Sequence, residues 1–146
     1  MQYRSRAPEP QIPLNRPNPI KPIVLVADDN DDTRQMFQAL LSAKGYRVIE
    51  ASDGEQTVEI VQHDNPGLVL LDLGLPRMNG INVIRRLRKE LNLIKIPVVV
   101  ITGYDTHFET ALAAGCDDYL LKPIDFDRLD TILDHYVPTQ AKGTTP

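Results

Sequence analysis

Short continuous apolar runs alternate along the chain with segments whose apolar positions recur every three or four residues. Ile23–Ala27 is five apolar residues in succession, mostly β-branched, which suits a strand covered on both faces. Leu68–Leu71 before Asp72, Val98–Ile101 before Thr102 and Tyr119–Leu121 before Lys122 repeat the pattern. Strands are therefore predicted at Ile23–Ala27, Leu68–Asp72 and Asp118–Leu121, with another following Pro97 and a shorter one at Tyr46–Glu50.

Helical spacing fills the intervals. Asn30-Asp31-Asp32 supplies a cap and N-terminal negative charge for a helix carrying Met36, Phe37, Leu40 and Leu41, stopped by Gly45. Ser52-Asp53-Gly54 turns into a second helix with Val58, Ile60 and Val61, broken by Pro66-Gly67. Asn79-Gly80 opens a third, with Ile81, Val83, Ile84, Leu87 and Leu91 as its apolar residues. A fourth is expected at Asp105–Ala114, closed by Gly115, and a last at Asp125–Tyr136 with Phe126, Leu129, Ile132 and Leu133 inward. Five strand–helix units with short connections imply an α/β fold: a five-stranded parallel sheet with helices on both faces, because parallel neighbours need crossovers.

In such a sheet the carboxyl ends of the strands share one edge, where ligands bind. Here that edge receives Asp28 and Asp29, Asp72, Thr102 and Lys122, each at the end of a different apolar run. Alone, any of these reads as a solvated strand end or a helix cap; together at four strand ends they describe one site. Crowded carboxylates repel, and a hard divalent cation resolves that conflict. Mg²⁺ takes about six oxygens, usually one or two carboxylates with waters and phosphate oxygens, so Asp28, Asp29 and Asp72 are a suitable inventory, with loop carbonyls after Asp72 as a further source. Lys122 offers a point charge to a phosphoryl oxygen and Thr102 a hydroxyl donor. Asp72, followed by a turn, is the candidate nucleophile for an aspartyl phosphate. Pro123 fixes the position of Lys122, and an X-Pro bond there is a candidate for the cis isomer.

The composition narrows the reading. At 146 residues the chain has the length of one domain, and its apolar (42%) and charged (25%) shares are those of a soluble protein. Residues 1–20 hold five prolines and are expected to be a poorly ordered arm, with residues 21–137 as the folded unit and residues 138–146 as a frayed polar tail. No run approaches the roughly 20 apolar residues that span a bilayer, and no apolar signal segment is visible, so a cytoplasmic location without membrane contact is expected. The net charge of -4 argues against bulk nucleic-acid binding. Arg85-Arg86-Leu87-Arg88-Lys89 is expected to be a solvated helix face. The single cysteine, Cys116, is expected to be a passive packing residue.

Over residues 21–137 the chain resembles the receiver (response-regulator) domain of bacterial two-component signalling. The matching pieces are Asp28-Asp29, the stretch Asp72-Leu73-Gly74-Leu75-Pro76-Arg77-Met78-Asn79-Gly80, Thr102-Gly103 and Tyr119-Leu120-Leu121-Lys122-Pro123. The resemblance implies a flavodoxin-like (βα)5 three-layer sandwich and a phosphoacceptor switch rather than an enzyme. It implies Asp72 as phosphoacceptor, charged from a phosphohistidine on a sensor histidine kinase or histidine phosphotransfer protein. It implies Mg²⁺ held by Asp29, by Asp28 mainly through water, by the Asp72 carboxylate and by the Gly74 carbonyl. Thr102 and Lys122 would hold phosphoryl oxygens, and Tyr119 would be the aromatic that changes rotamer. The signal would pass by protein contact through the fourth helix, fifth strand and fifth helix, from a monomer or a weak phosphorylation-dependent dimer, to a target the sequence does not name. Gly74 and Tyr104 occupy positions that tune phosphoryl lifetime in that family. No output domain follows residue 137, which suggests a stand-alone type.

A phosphatase of the haloacid-dehalogenase kind is the alternative, because Asp29-Asn30-Asp31-Asp32-Thr33 fits the Asp-x-Asp-x-Thr spacing of that family. It has no use for Asp72, and the chain after Lys122 offers no strand for the further acid pair it needs. A flavodoxin-type cofactor binder would want a Ser/Thr-rich phosphate loop where this chain has acids, and no P-loop is present.

Overall fold

The computed structural model describes residues 21–103 and 107–139. The strands β1 (Ile23–Ala27), β2 (Arg47–Ala51), β3 (Leu68–Asp72), β4 (Val98–Thr102) and β5 (Asp118–Leu121) form one parallel sheet in the order β2-β1-β3-β4-β5. The helices are α1 (Asp31–Ala43), α2 (Gly54–Asp64), α3 (Gly80–Arg85), α4 (Phe108–Ala114) and α5 (Phe126–Tyr136). Side chains alternate across each strand, which divides the core in two. Leu25, Val69, Leu71, Val98 and Val100 pack with α2, α3 and α4. Val24, Val26, Leu68, Leu70, Val99, Ile101 and Leu120 pack on the other face against Phe37 and Leu41 of α1 and Leu129, Ile132 and Leu133 of α5. This is the expected three-layer α/β sandwich. Up to the Asp72 and Thr102 that end β3 and β4, the strands β1, β3 and β4 are apolar because both of their faces are covered.

Several boundaries differ from expectation. β2 begins at Arg47, whose N–H bonds the Pro22 carbonyl; Tyr46 belongs instead to the turn, with its N–H on Leu41 O and its buried hydroxyl donating to Val137 O at 2.8 Å. α4 starts at Phe108; the expected start at Asp105 and the tuning position Tyr104 lie outside the described residues, as do the arm 1–20 and residues 140–146. Val137 and Thr139 are buried, so packing continues two residues past 137. Phe126 is 49% exposed rather than inward. It is the first residue of α5, one turn ahead of the Leu129, Ile132 and Leu133 stripe that packs on the sheet.

The basic stretch is the larger correction. The third helix gives way after Arg85 to a π-helical turn, Arg86–Glu90, and Arg88 turns away from solvent. Its side chain is 9% exposed and donates to Leu93 O (2.7 Å), Gly115 O (2.9 Å) and Asp117 Oδ2 (3.0 Å). Asp117 also accepts from Val98 N. Gly115 adopts φ +120° and a Cβ there would lie 2.7 Å from Arg88 Cγ, so glycine both suits the left-handed backbone and makes room for the arginine. Arg88 thus ties the end of the third helix to the close of α4 and the approach to β5. Substituting it strands buried carbonyls, so Arg88→Met should lower unfolding stability by about 2 kcal/mol in urea melts. Arg85→Met and Lys89→Met should stay within about 0.5 kcal/mol, and an equal effect of all three would restore the solvated-face reading.

Candidate functional site

The β1–β3 junction is where the strand order reverses, since β1 leads to β2 on one side and to β3 on the other. Crevices at such reversals are where open α/β sheets bind ligands. The register sets the height of each functional residue: Ala27 pairs with Leu71, Asp72 with Ile101 and Thr102 with Leu121. Asp28, Asp72, Thr102 and Lys122 therefore leave the sheet within two residues of each other. The Lys122 N–H closes the row on Thr102 O at 2.9 Å, ahead of a cis Lys122–Pro123 bond.

The acids converge as expected. Oxygens of Asp28, Asp29 and Asp72 lie within 4.8 Å of one another, the first buried, the second exposed and the third between. Lys122 Nζ sits against two of them, 3.1 Å from Asp28 Oδ2 and 3.7 Å from Asp72 Oδ2. Asp28 Oδ1 accepts from Asn30 N at 2.9 Å, so both oxygens of the buried acid are engaged. Asp72 Oδ1 accepts from Gly74 N at 3.2 Å.

Electrostatics follow from this geometry. Burial is the largest influence on Asp72 and raises its carboxyl above the ordinary aspartate value; the Gly74 N–H and Lys122 oppose that, Asp28 and Asp29 reinforce it, and the balance stays upward. For Lys122 burial acts downward, but the hydrogen bond to Asp28 and the charges of Asp72 and Asp28 outweigh it, so the ammonium is held above its usual value. The amine remains a cation beside a carboxyl that resists ionisation.

The loop after Asp72 is tightly fastened. Gly80 N bonds Leu73 O at 2.9 Å, Gly54 N bonds Pro76 O at 3.1 Å, and Asn79 caps α3 by accepting from Asn82 N. A Cβ at Gly80 would stand 2.8 Å from the Asp72 carbonyl, so only glycine lets the helix start this close to the strand end. Between this loop and β4 opens a cleft of about 660 Å³, lined by Asp72, Gly74, Asn79, Ile81, Thr102, His107 and Lys122. Thr102 is buried on its wall. Tyr119 lies on the same face of the sheet as Thr102, half-buried, its ring 4.1 Å from that of Phe108 and 5.8 Å from the Arg128 guanidinium. Cys116 is 5% exposed and burial pushes its thiol up to about 11, in keeping with a packing role.

Sequence reasoning missed Ile81 and His107 in the cleft wall, and it missed Arg34, which donates to the Asp28 carbonyl at 2.7 Å. The only available signal was its position three residues after Asp31, on the same helix face.

The sequence model of the response regulator receiver domain matches residues 24–134. The chain belongs to the response regulator receiver family. That membership places it with the phosphoacceptor response regulators of two-component signalling. Among its relatives are PhoP of Bacillus subtilis, the alkaline phosphatase synthesis transcriptional regulatory protein (36% identity over 102 residues, 68% of this chain and 42% of that protein), and the response regulator MprA of Mycobacterium leprae (37% over 108 residues, 73% and 46%). Similar solved structures include the receiver domain of the Francisella response regulator 1452 (29% identity, 80% of this chain and 96% of that one, TM-score 0.73). Another is the receiver domain of the sensor histidine kinase PA1611 of Pseudomonas aeruginosa, which holds a magnesium ion in its active-site cleft (29%, 82% and 100%, TM-score 0.74). The chain spans between 39% and 50% of the length of the curated relatives it matches. Several relatives are named transcriptional regulators, a description of those longer proteins. None of these matches supports the phosphatase alternative. Among the described residues no helix is long and apolar enough to cross a membrane.

Because Asp72 titrates higher in the folded receiver than in the unfolded chain (about 3.9), the folded state binds more protons between those two values. Stability therefore falls as pH rises through that interval, and the cost is fully present above it. Metal-free Asp72→Asn should be more stable than wild type at neutral pH, on the order of 1 kcal/mol for like charges at this range in a partly screened cleft. The advantage should shrink as pH falls through that interval and vanish below the unfolded value. Urea melts in chelator at several pH values measure it; an Asp72→Asn protein less stable than wild type at neutral pH would contradict the balance described.

Proposed function

We propose that Asp72 is the phosphoacceptor of this receiver, that Mg²⁺ is its cofactor, and that a sensor histidine kinase or histidine phosphotransfer protein is its donor. The observation that carries the reading is the meeting of three carboxylates within 4.8 Å beside a lysine ammonium. Such a group is poorly matched to itself and well matched to a divalent cation plus a phosphoryl group. Bound there, Mg²⁺ would neutralise acid and phosphoryl charge. Asp29, exposed and adjacent to Asp72 in the cluster, and Asp72 itself are the direct ligands in this reading, with the Gly74 carbonyl beside them. Asp28, whose two oxygens already accept from Asn30 and Lys122, suits a role through water.

Asp72 supplies the attacking oxygen. An O–P bond forms on its carboxylate as the N–P bond to the donor imidazole breaks, and the imidazole leaves with that electron pair. Lys122 then exchanges its contact with Asp72 for a phosphoryl oxygen, and Thr102 donates its hydroxyl to another. Pulling Thr102 toward the phosphoryl group frees space on the face it shares with Tyr119, which biases a two-state equilibrium toward an inward ring. The output surface would be α4, β5 and α5, where Leu112, Leu121 and Phe126 are exposed. The protein acts as a switch whose only chemistry is its own phosphotransfer and dephosphorylation. The chain's net charge of -4 gives it no overall attraction for nucleic acid, and a cytoplasmic setting suits its donor.

Acetyl phosphate with Mg²⁺ should add one hydroxylamine-sensitive phosphoryl group per chain, mapped by mass spectrometry to Asp72, and Asp72→Asn should abolish it. In the same experiment Thr102→Ala should still be labelled but lose most phosphorylation-dependent NMR shifts on residues 107–136. Labelling of another residue in the wild type, or turnover of many equivalents as a phosphatase would give, defeats the reading.

A further inference from the structure

Arg34 lies behind the acid cluster rather than in it. Six residues after Asp28, its side chain is 14% exposed and uses all three nitrogens. Nη1 donates to the Asp28 carbonyl at 2.7 Å, Nε donates to Glu50 Oε1 at 3.1 Å on β2, and Nη2 pairs with Asp31 in the first turn of α1. The Asp28 carbonyl belongs to the peptide that joins the buried acid to the exposed one. Beyond it, the Asp28 N–H is fixed on Ala51 O at 3.0 Å. One guanidinium therefore braces the Asp28–Asp29 peptide against the neighbouring strand and the helix start, while its charge is met by the carboxylates of Glu50 and Asp31.

We propose that Arg34 is a positioning residue for the divalent cation, orienting the peptide that aims Asp29 at Asp72; this rests on reading the acid cluster as the Mg²⁺ site. Without Arg34 the Asp29 carboxylate samples directions away from Asp72, and the free protein must order that loop when the cation binds. A lysine carries the charge but cannot make three divergent in-plane bonds. Charge and geometry are thereby separable.

Magnesium titrations by calorimetry on the full chain, paired with urea melts in chelator, test this. Outer partners of metal ligands typically change affinity 10–100-fold when replaced, so Arg34→Gln should weaken Mg²⁺ binding roughly tenfold. Arg34→Lys should recover little of that loss, and Glu50→Ala, which removes one brace but keeps the arginine, should weaken binding by a smaller factor. Wild-type Mg²⁺ affinity in folded Arg34→Gln, with only a lower urea midpoint, overturns the proposal in favour of a purely structural arginine. Full recovery by lysine overturns the positioning role in favour of bulk charge. If Arg34→Gln does not fold, unchanged Mg²⁺ affinity in Glu50→Ala overturns it as well. A wild type that binds no Mg²⁺ overturns the metal reading itself, an outcome distinct from a wild type that binds while Arg34→Gln binds equally well.

Discussion

Three carboxylates brought together by parallel strand ends cannot all ionise without repulsion, and Lys122 is the group that makes the arrangement tolerable. Its ammonium bonds the buried Asp28 and stands 3.7 Å from Asp72, so the most costly charge in the cleft, a buried carboxylate, is paired. The pairing is incomplete, since Asp72 still titrates upward. A site fully satisfied by its own residues would have no affinity left for a cation or a phosphoryl group. Sites tuned for function commonly carry such a residual penalty.

The rest of the molecule can be understood as holding that arrangement still. The apolar strands β1, β3 and β4 are buried on both faces, which fixes their register and hence the height at which Asp28, Asp72 and Thr102 emerge. A slip of one residue would turn every side chain to the other face. The loop after Asp72 is pinned at Leu73 and Pro76 to the starts of α3 and α2. On the same face of the sheet Arg88 fastens the third helix to the close of α4. α4 is thus anchored at its C-terminal end, close to the strand that carries Tyr119, while its N-terminal end borders the cleft through His107.

Most of the fold was legible because buried parallel strands write themselves as unbroken apolar runs. The strands β1, β3 and β5 fell where the runs did. β2 was misplaced by one residue because Tyr46 is as apolar as a strand residue yet spends its burial on a turn and on Val137. Phe126 matched the inward stripe of α5 by spacing, but spacing does not say where a sheet ends. The site was legible for a related reason: in a parallel sheet, residues that end different strands share an edge whatever their separation in sequence. Arg88 and Arg34 were not legible. Their partners are carbonyls and carboxylates on other elements, 27 and 29 residues away for Gly115 and Asp117 and 16 for Glu50, and a basic residue on a helix gives no sign of whether it faces solvent or such acceptors.

The central claim is that the acid trio, Thr102 and Lys122 form a single site for a cation and a phosphoryl group. A crystal structure of the protein grown with Mg²⁺ and beryllofluoride, an acyl-phosphate mimic, tests it most directly. The expected result is beryllium on an Asp72 oxygen, Mg²⁺ about 2.0–2.1 Å from Asp29 and Asp72 oxygens, and fluorides on Lys122 Nζ and the Thr102 hydroxyl. Beryllofluoride on a different carboxylate, or Mg²⁺ bound away from Asp29, would contradict it.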